Sequence, residues 1–213
     1  MALRHLPLTV ILLSFVPAFV TAAVVVDEVP VRVYDSSALA VGMRRHALET
    51  ARVTLARAGV AVAWLACEEA TSSPACARGT GPDELVLRIV PAHRPGAAAG
   101  VAALRSGVSR LPLGDAFVDL ATQSGVLATI YRDRVSALAG AAGIDAGTLL
   151  GYAIAHEIAH LLLGTNAHGE RGLMRPLWSR DEIRRGRAAD WMLTEREASA
   201  IRARLEARRL VAR

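Results

Sequence analysis

Along residues 29–34 apolar and polar positions alternate: Val29, Val31 and Val33 point one way, and Pro30, Arg32 and Tyr34 the other. A period of two predicts a half-buried strand. Ser36 and Ser37 then offer caps for a helix that reaches about Ala58 and stops at Gly59. Residues 60–66 predict a second strand, and residues 84–90 a third that ends at Pro91. The Ala-, Gly- and Pro-rich part at 92–109 predicts loop, with a short strand near 100–104. Residues 115–120 predict another strand, and 126–131 either a strand or the start of a short helix through Leu138. Residues 149–163 are almost wholly apolar, preceded by Asp145 as an N-cap and followed by Gly164 as a stop, which predicts a buried helix. Thr194 and Glu197 form a capping box, and Ala198, Ile201 and Leu205 then line one face of a C-terminal helix.

The chemistry lies in that apolar helix. It carries His156-Glu157-Ile158-Ala159-His160, the H-E-x-x-H pattern. Histidines four apart share one helix face, so both imidazoles can reach one ion, while the intervening Glu is turned beside the ion's open position. The pattern also arises by chance, as two surface histidines on an ordinary helix. Here the apolar flanks bury it, and buried polar groups without partners would be costly. A metal ion and its water remove that cost. His168, just after the glycine stop, is the candidate third ligand, with Glu170 as its competitor because carboxylates also bind zinc.

The run from His156 through Gly164 to His168 resembles the extended motif of the metzincin (zincin) clan of zinc peptidases, although the glycine comes one residue late and the third histidine two. The segment Gly172-Leu173-Met174-Arg175-Pro176-Leu177-Trp178 is similar to the methionine turn and specificity wall of matrix metalloproteinases. By that resemblance Met174 would underlie the metal, and Pro176 and Trp178 would wall the pocket for the residue after the scissile bond. Arg175 stands where those enzymes often have Tyr, so pocket preference does not carry over. The resemblance also implies an α+β fold: a twisted mixed sheet of about four to five strands backed by a long first helix, an active-site helix carrying the motif, and a C-terminal helix.

Composition refines this picture. The chain has 213 residues, a net charge of +5 and no lysine; apolar content is 53% but aromatics only 4%, so the core is built from small and aliphatic side chains. Residues 1–23 read as a signal peptide: Arg4 and His5, an apolar stretch, then small residues at Thr21-Ala22-Ala23. Residues 24–213 would then form one catalytic domain, secreted or periplasmic; the alternative is an uncleaved N-terminal membrane anchor. Cys67 and Cys76 are the only cysteines, and an even count in an exported chain favours a disulfide; two free thiols are the alternative if the chain stays in the cytosol. Arg outnumbers acidic residues at 180–213, which reads as a solvated helical surface; no nucleic-acid motif accompanies it, and no nucleic-acid partner is expected.

The expected function is zinc-dependent hydrolysis of a peptide or protein substrate by a monomer, with Zn2+ on His156, His160 and His168 and Glu157 as general base. Tyr131, His93 and Arg175 are candidate oxyanion stabilisers, each with a competing structural or surface role. Two alternatives stand beside the peptidase: a binding or regulatory protein of the same fold with little activity, and a zinc amidase acting on a non-peptide substrate.

Overall fold

A computed structural model describes residues 28–68, 73–81, 83–91 and 112–211. The signal segment, the short strand expected near 100–104 and His93 lie outside the described residues. In chain order the elements are β1 (Val29–Asp35), α1 (Val41–Ala56), β2 (Val62–Ala66), β3 (Leu85–Val90), β4 (Gly114–Asp119), β5 (Ser124–Tyr131), α2 (Arg132–Ala142), α3 (Ala146–Leu163), α4 (Arg180–Arg185) and α5 (Glu195–Val211). Short 3-10 turns occupy Pro74–Ala77 and Ala188–Trp191.

The strands form one five-stranded sheet in the order β2-β1-β3-β5-β4. Every neighbouring pair is parallel except β4, which runs antiparallel to β5 at the edge. The molecule is therefore a mixed α+β structure with a mostly parallel sheet and several helices. The alternation at 29–34 has its expected meaning: Val29, Val31 and Val33 are buried, and Val31 and Val33 stand in register with Leu85 and Leu87 of β3, which are buried as well. On the other face Arg32 is also covered, because its guanidinium donates to the carbonyls of Arg78 and Gly79 and pairs with Glu84 at 2.6 Å.

One local expectation needs correction, and one open alternative is resolved. Ser36 and Ser37 do not cap α1, whose N-cap is Ala40 with no side-chain hydrogen bond. Asp35 takes Ser37 instead: its carboxylate accepts from the Ser37 amide at 2.9 Å, the Ser37 hydroxyl at 2.6 Å and the Leu39 amide at 3.3 Å, while the Ser36 amide donates to the Ile89 carbonyl at 3.0 Å, so a turn follows β1 before the helix begins. Residues 126–131 are strand alone, and a separate helix follows at once. The sequence also carried an unread helix, α4, inside the Arg-rich stretch; Ser179 and Glu182 form a complete capping box at its start.

Helix α3 is the organising element. It packs along α1, against β4 and β5, and against α2 and α5. Ala47, Ala51 and Gly151 keep the α1–α3 contact close: a Cβ at Gly151 would lie 2.5 Å from the Thr50 Cβ. Leu149, Leu150, Ile154, Ile158, Leu161 and Leu162 are fully enclosed, each contributing roughly 1.5–3 kcal/mol by leaving water. The helix is long and apolar enough to cross a bilayer, yet its apolar window is 78% buried inside the protein, which is what a core helix shows. Asp145 caps it by accepting from the Thr148 amide at 2.7 Å, and Gly164 ends it at φ +63°, a left-handed conformation that glycine adopts without a Cβ penalty.

Candidate metal centre

One helical turn places His156 and His160 side by side on α3, both buried. The Gly164 turn sends the chain back, and His168 meets them from the loop. The three rings offer ligand nitrogens that lie within 4.8 Å of one another. The Nε2 atoms of His156 and His160 are 3.1 Å apart, and those of His160 and His168 3.3 Å. Glu170 is exposed and stands outside this group.

Backbone carbonyls decide the tautomers. Nδ1 of His156 lies 2.8 Å from the Leu173 oxygen, and Nδ1 of His160 lies 2.8 Å from the Thr165 oxygen. A carbonyl only accepts, so each Nδ1 must carry the hydrogen. Each Nε2 then presents a lone pair. The close Nε2 contact between His156 and His160 is therefore two acceptors facing each other, not a hydrogen bond. Proton occupancy does not relieve it. Burial pushes His156 down to about 3, and repulsion from His160 and His168 adds to that. Burial also lowers His160 and His168. Two imidazoles with facing lone pairs, joined by the His168 ring nitrogen, are a donor set for a cation, and the carbonyl bonds on the far nitrogens of His156 and His160 are the orienting contacts that histidine ligands require. The residues present fit a metal ion.

Glu157 is buried beside them, and that burial, aided by the nearby Asp115 charge, raises its carboxyl to about 8. The edge strand reaches the same place: a Cβ on Gly114, the first residue of β4, would come 2.8 Å from the Glu157 Cγ. So β4 borders the centre, and only a residue without a side chain fits where it touches Glu157.

Below the histidines lies the segment that follows them. Leu173 and Met174 are fully buried. The Leu173 carbonyl orients His156, and the Met174 carbonyl accepts the Gly169 amide at 2.8 Å, next to His168. Trp178 stands edge-on to the His156 ring at 5.6 Å. Pro176, by contrast, is exposed. Two aromatic residues that sequence reasoning missed complete this wall: Trp191 meets Trp178 edge-on at 5.1 Å and stacks on Tyr152 at 4.3 Å. Tyr152 was legible in part, because it lies four residues before His156 on the same helix face. Trp191 was not, because it comes from a distant turn.

Of the candidate oxyanion stabilisers, Tyr131 and Arg175 are otherwise engaged. The Tyr131 hydroxyl donates to Asp115 at 3.1 Å, and its ring lies under the Arg134 guanidinium at 4.1 Å. Arg175 is buried and bound to Gly172 and Glu182. Away from the centre, Cys67 and Cys76 form a disulfide with Cα atoms 5.5 Å apart. Such a bond fits an oxidising environment outside the cytosol.

No family model, no curated protein and no solved structure matches this chain.

Proposed function

We propose that this protein is an exported zinc-dependent metallopeptidase of metzincin-like type. The observation that carries the reading is the convergence of three ring nitrogens, from His156, His160 and His168, beside the buried carboxyl of Glu157. Three histidines are a donor set that suits zinc and leaves a coordination position open. A five-stranded sheet with an antiparallel edge strand against Glu157, and a buried methionine segment behind His156, are what the metzincin resemblance implies.

Zinc bound there would supply Lewis acidity toward water and toward a scissile carbonyl. The remaining steps belong to the chain's own groups. His156 and His160 stay neutral and fixed because Leu173 and Thr165 hold their Nδ1 hydrogens. Glu157 takes a proton from the attacking water on a carboxylate oxygen and later passes it to the departing amine nitrogen. Burial raises its hold on that proton, and a dication bound beside it would favour the carboxylate that the first step needs. An extended substrate would add to the outer edge of β4, which pairs with no further strand among the described residues, with Trp178 beside His156 shaping a side-chain pocket.

The test is digestion of a broad peptide library by the full chain, with and without chelator, paired with metal analysis. Chelator-sensitive cleavage with stoichiometric zinc supports the reading. Full zinc occupancy without cleavage would instead favour a binding protein or an amidase acting on other substrates.

A further inference from the structure

Arg175 is an unusual occupant of its site. Its side chain is 9% exposed; among the described residues its charge pairs with one carboxylate, that of Glu182, and its buried Nη2 has no partner. An apolar side chain of similar size would avoid that desolvation. What the arginine does instead is visible in its bonds. Nε donates to the Gly172 carbonyl at 3.0 Å, and Nη1 donates to Glu182. Glu182 is itself held by the Ser179 amide at 2.9 Å and hydroxyl at 2.6 Å in the capping box of α4.

The Gly172 carbonyl and the Leu173 amide are two edges of one peptide plane. Arg175 holds the first edge, and the Met192 carbonyl accepts from the second at 2.8 Å. The next peptide plane carries the Leu173 carbonyl that receives Nδ1–H of His156. The plane after that carries the Met174 carbonyl, which receives the Gly169 amide beside His168. Three successive peptides are thus fixed; one of them reaches His156, and the next reaches the residue after His168. Gly172 enters this run at φ +75°, packed so tightly that a Cβ would lie 2.5 Å from the Met192 oxygen.

We infer that Arg175 is a positioning residue of the metal centre: anchored on α4 through Glu182, it fixes the peptide that aims the Leu173 carbonyl at His156. This rests on the reading of the three histidines as a metal site. It gives α4 a role that its distance along the chain from the motif conceals, and it explains a buried cation beside a site built for another.

The experiment uses the full chain stripped of metal and reloaded with Co(II), which reports ligand geometry through its visible absorption. Affinity is read by competition with a chromophoric chelator. The variants are Arg175→Met, Arg175→Lys and Glu182→Gln. Val31→Ala, a cavity in β1 with no part in the segment, controls for lost stability. Arg175→Met is expected to weaken Co(II) binding about 10–100-fold, the usual effect of losing an orienting contact, and to change the absorption bands. Arg175→Lys, which keeps the charge but not both bonds, falls between it and the wild type. If Arg175→Met does not fold, the Lys and Glu182→Gln variants carry the same readout. Wild-type affinity and bands in the Arg175 variants would overturn the inference, as would an equal loss in Val31→Ala. A wild-type protein that takes up no Co(II) would overturn the metal reading and this inference with it.

Discussion

The Nε2 atoms of His156 and His160 stand 3.1 Å apart with no hydrogen between them, because each ring spends its Nδ1 hydrogen on a backbone carbonyl. Two lone pairs at that distance repel, and burial resists the protons that would relieve them. With the His168 nitrogen beside them, these groups lie close enough to hold a metal ion.

Metal should therefore stabilise the fold. Zinc at about 1,000 times its dissociation constant adds roughly 4 kcal/mol if it binds only the native state. Thermal unfolding of the stripped protein should shift upward with added zinc and return with chelator. His160→Ala, which leaves only His156 and His168, should shrink the shift. His168→Ala, which leaves two ligands in place, should shrink it; an unchanged shift and stoichiometric zinc in that variant would show that His168 is not a ligand.

Glu157→Gln separates binding from chemistry. The amide nearly matches the carboxyl in shape and is buried as easily, so zinc content and melting temperature should hold. Proton transfer disappears, and hydrolysis should fall by about 10²–10⁴-fold, the usual worth of a general base. Turnover close to wild type on the same peptides would remove Glu157 from the mechanism.

Gly172→Ala tests the turn behind His156. The new Cβ meets the Met192 oxygen at 2.5 Å, and the residue must keep φ +75°. Positive φ alone costs on the order of 1–3 kcal/mol in a residue with a side chain, and the contact adds to it. Denaturant unfolding should show at least that loss, together with weaker metal binding, because the displaced peptide precedes the Leu173 carbonyl. A neutral substitution would mean that the turn relaxes freely.

The carboxylates of Asp145 and Glu182 set an acid limit. Asp145 is held low chiefly by the Thr148 amide, and Glu182 chiefly by the Ser179 hydroxyl. In each case the folded value lies below the unfolded one, so the folded state binds fewer protons. Their contribution is complete above the unfolded value, about 4, and is lost as pH falls through the depressed one. The stability gap between the metal-free wild type and Asp145→Asn or Glu182→Gln should be constant near neutrality and close under acid. Measuring melting temperature from pH 7 down to pH 3 checks this; a gap that widens in acid would reverse the assigned sign.

Much of this was legible because it is local. The i, i+4 histidines, the Asp145 cap, the Gly164 stop, the Thr194–Glu197 box and the alternation of β1 each depend on residues within a turn or a strand of one another. The unread helix α4 was equally local: Ser179 and Glu182 spell its capping box, masked by the Arg-rich composition around them. Ser36 and Ser37 misled because local signals compete, and Asp35 had the nearer claim on Ser37.

The sequence by itself determined the donors and their spacing: which residues could hold a metal, which carboxyl stands beside it, and that the helix carrying them must be buried. Tertiary structure alone decided their protonation and aim. The Leu173 carbonyl reaches back to His156 across 17 positions, Trp191 closes an aromatic wall against Tyr152, and Gly114 of the edge strand abuts Glu157. Such contacts follow from how α3 seats between α1 and the β4–β5 edge. Hydrophobic periodicity specifies which face of an element is buried but not what it meets there, so the groups that tune the site become visible only once the chain is packed.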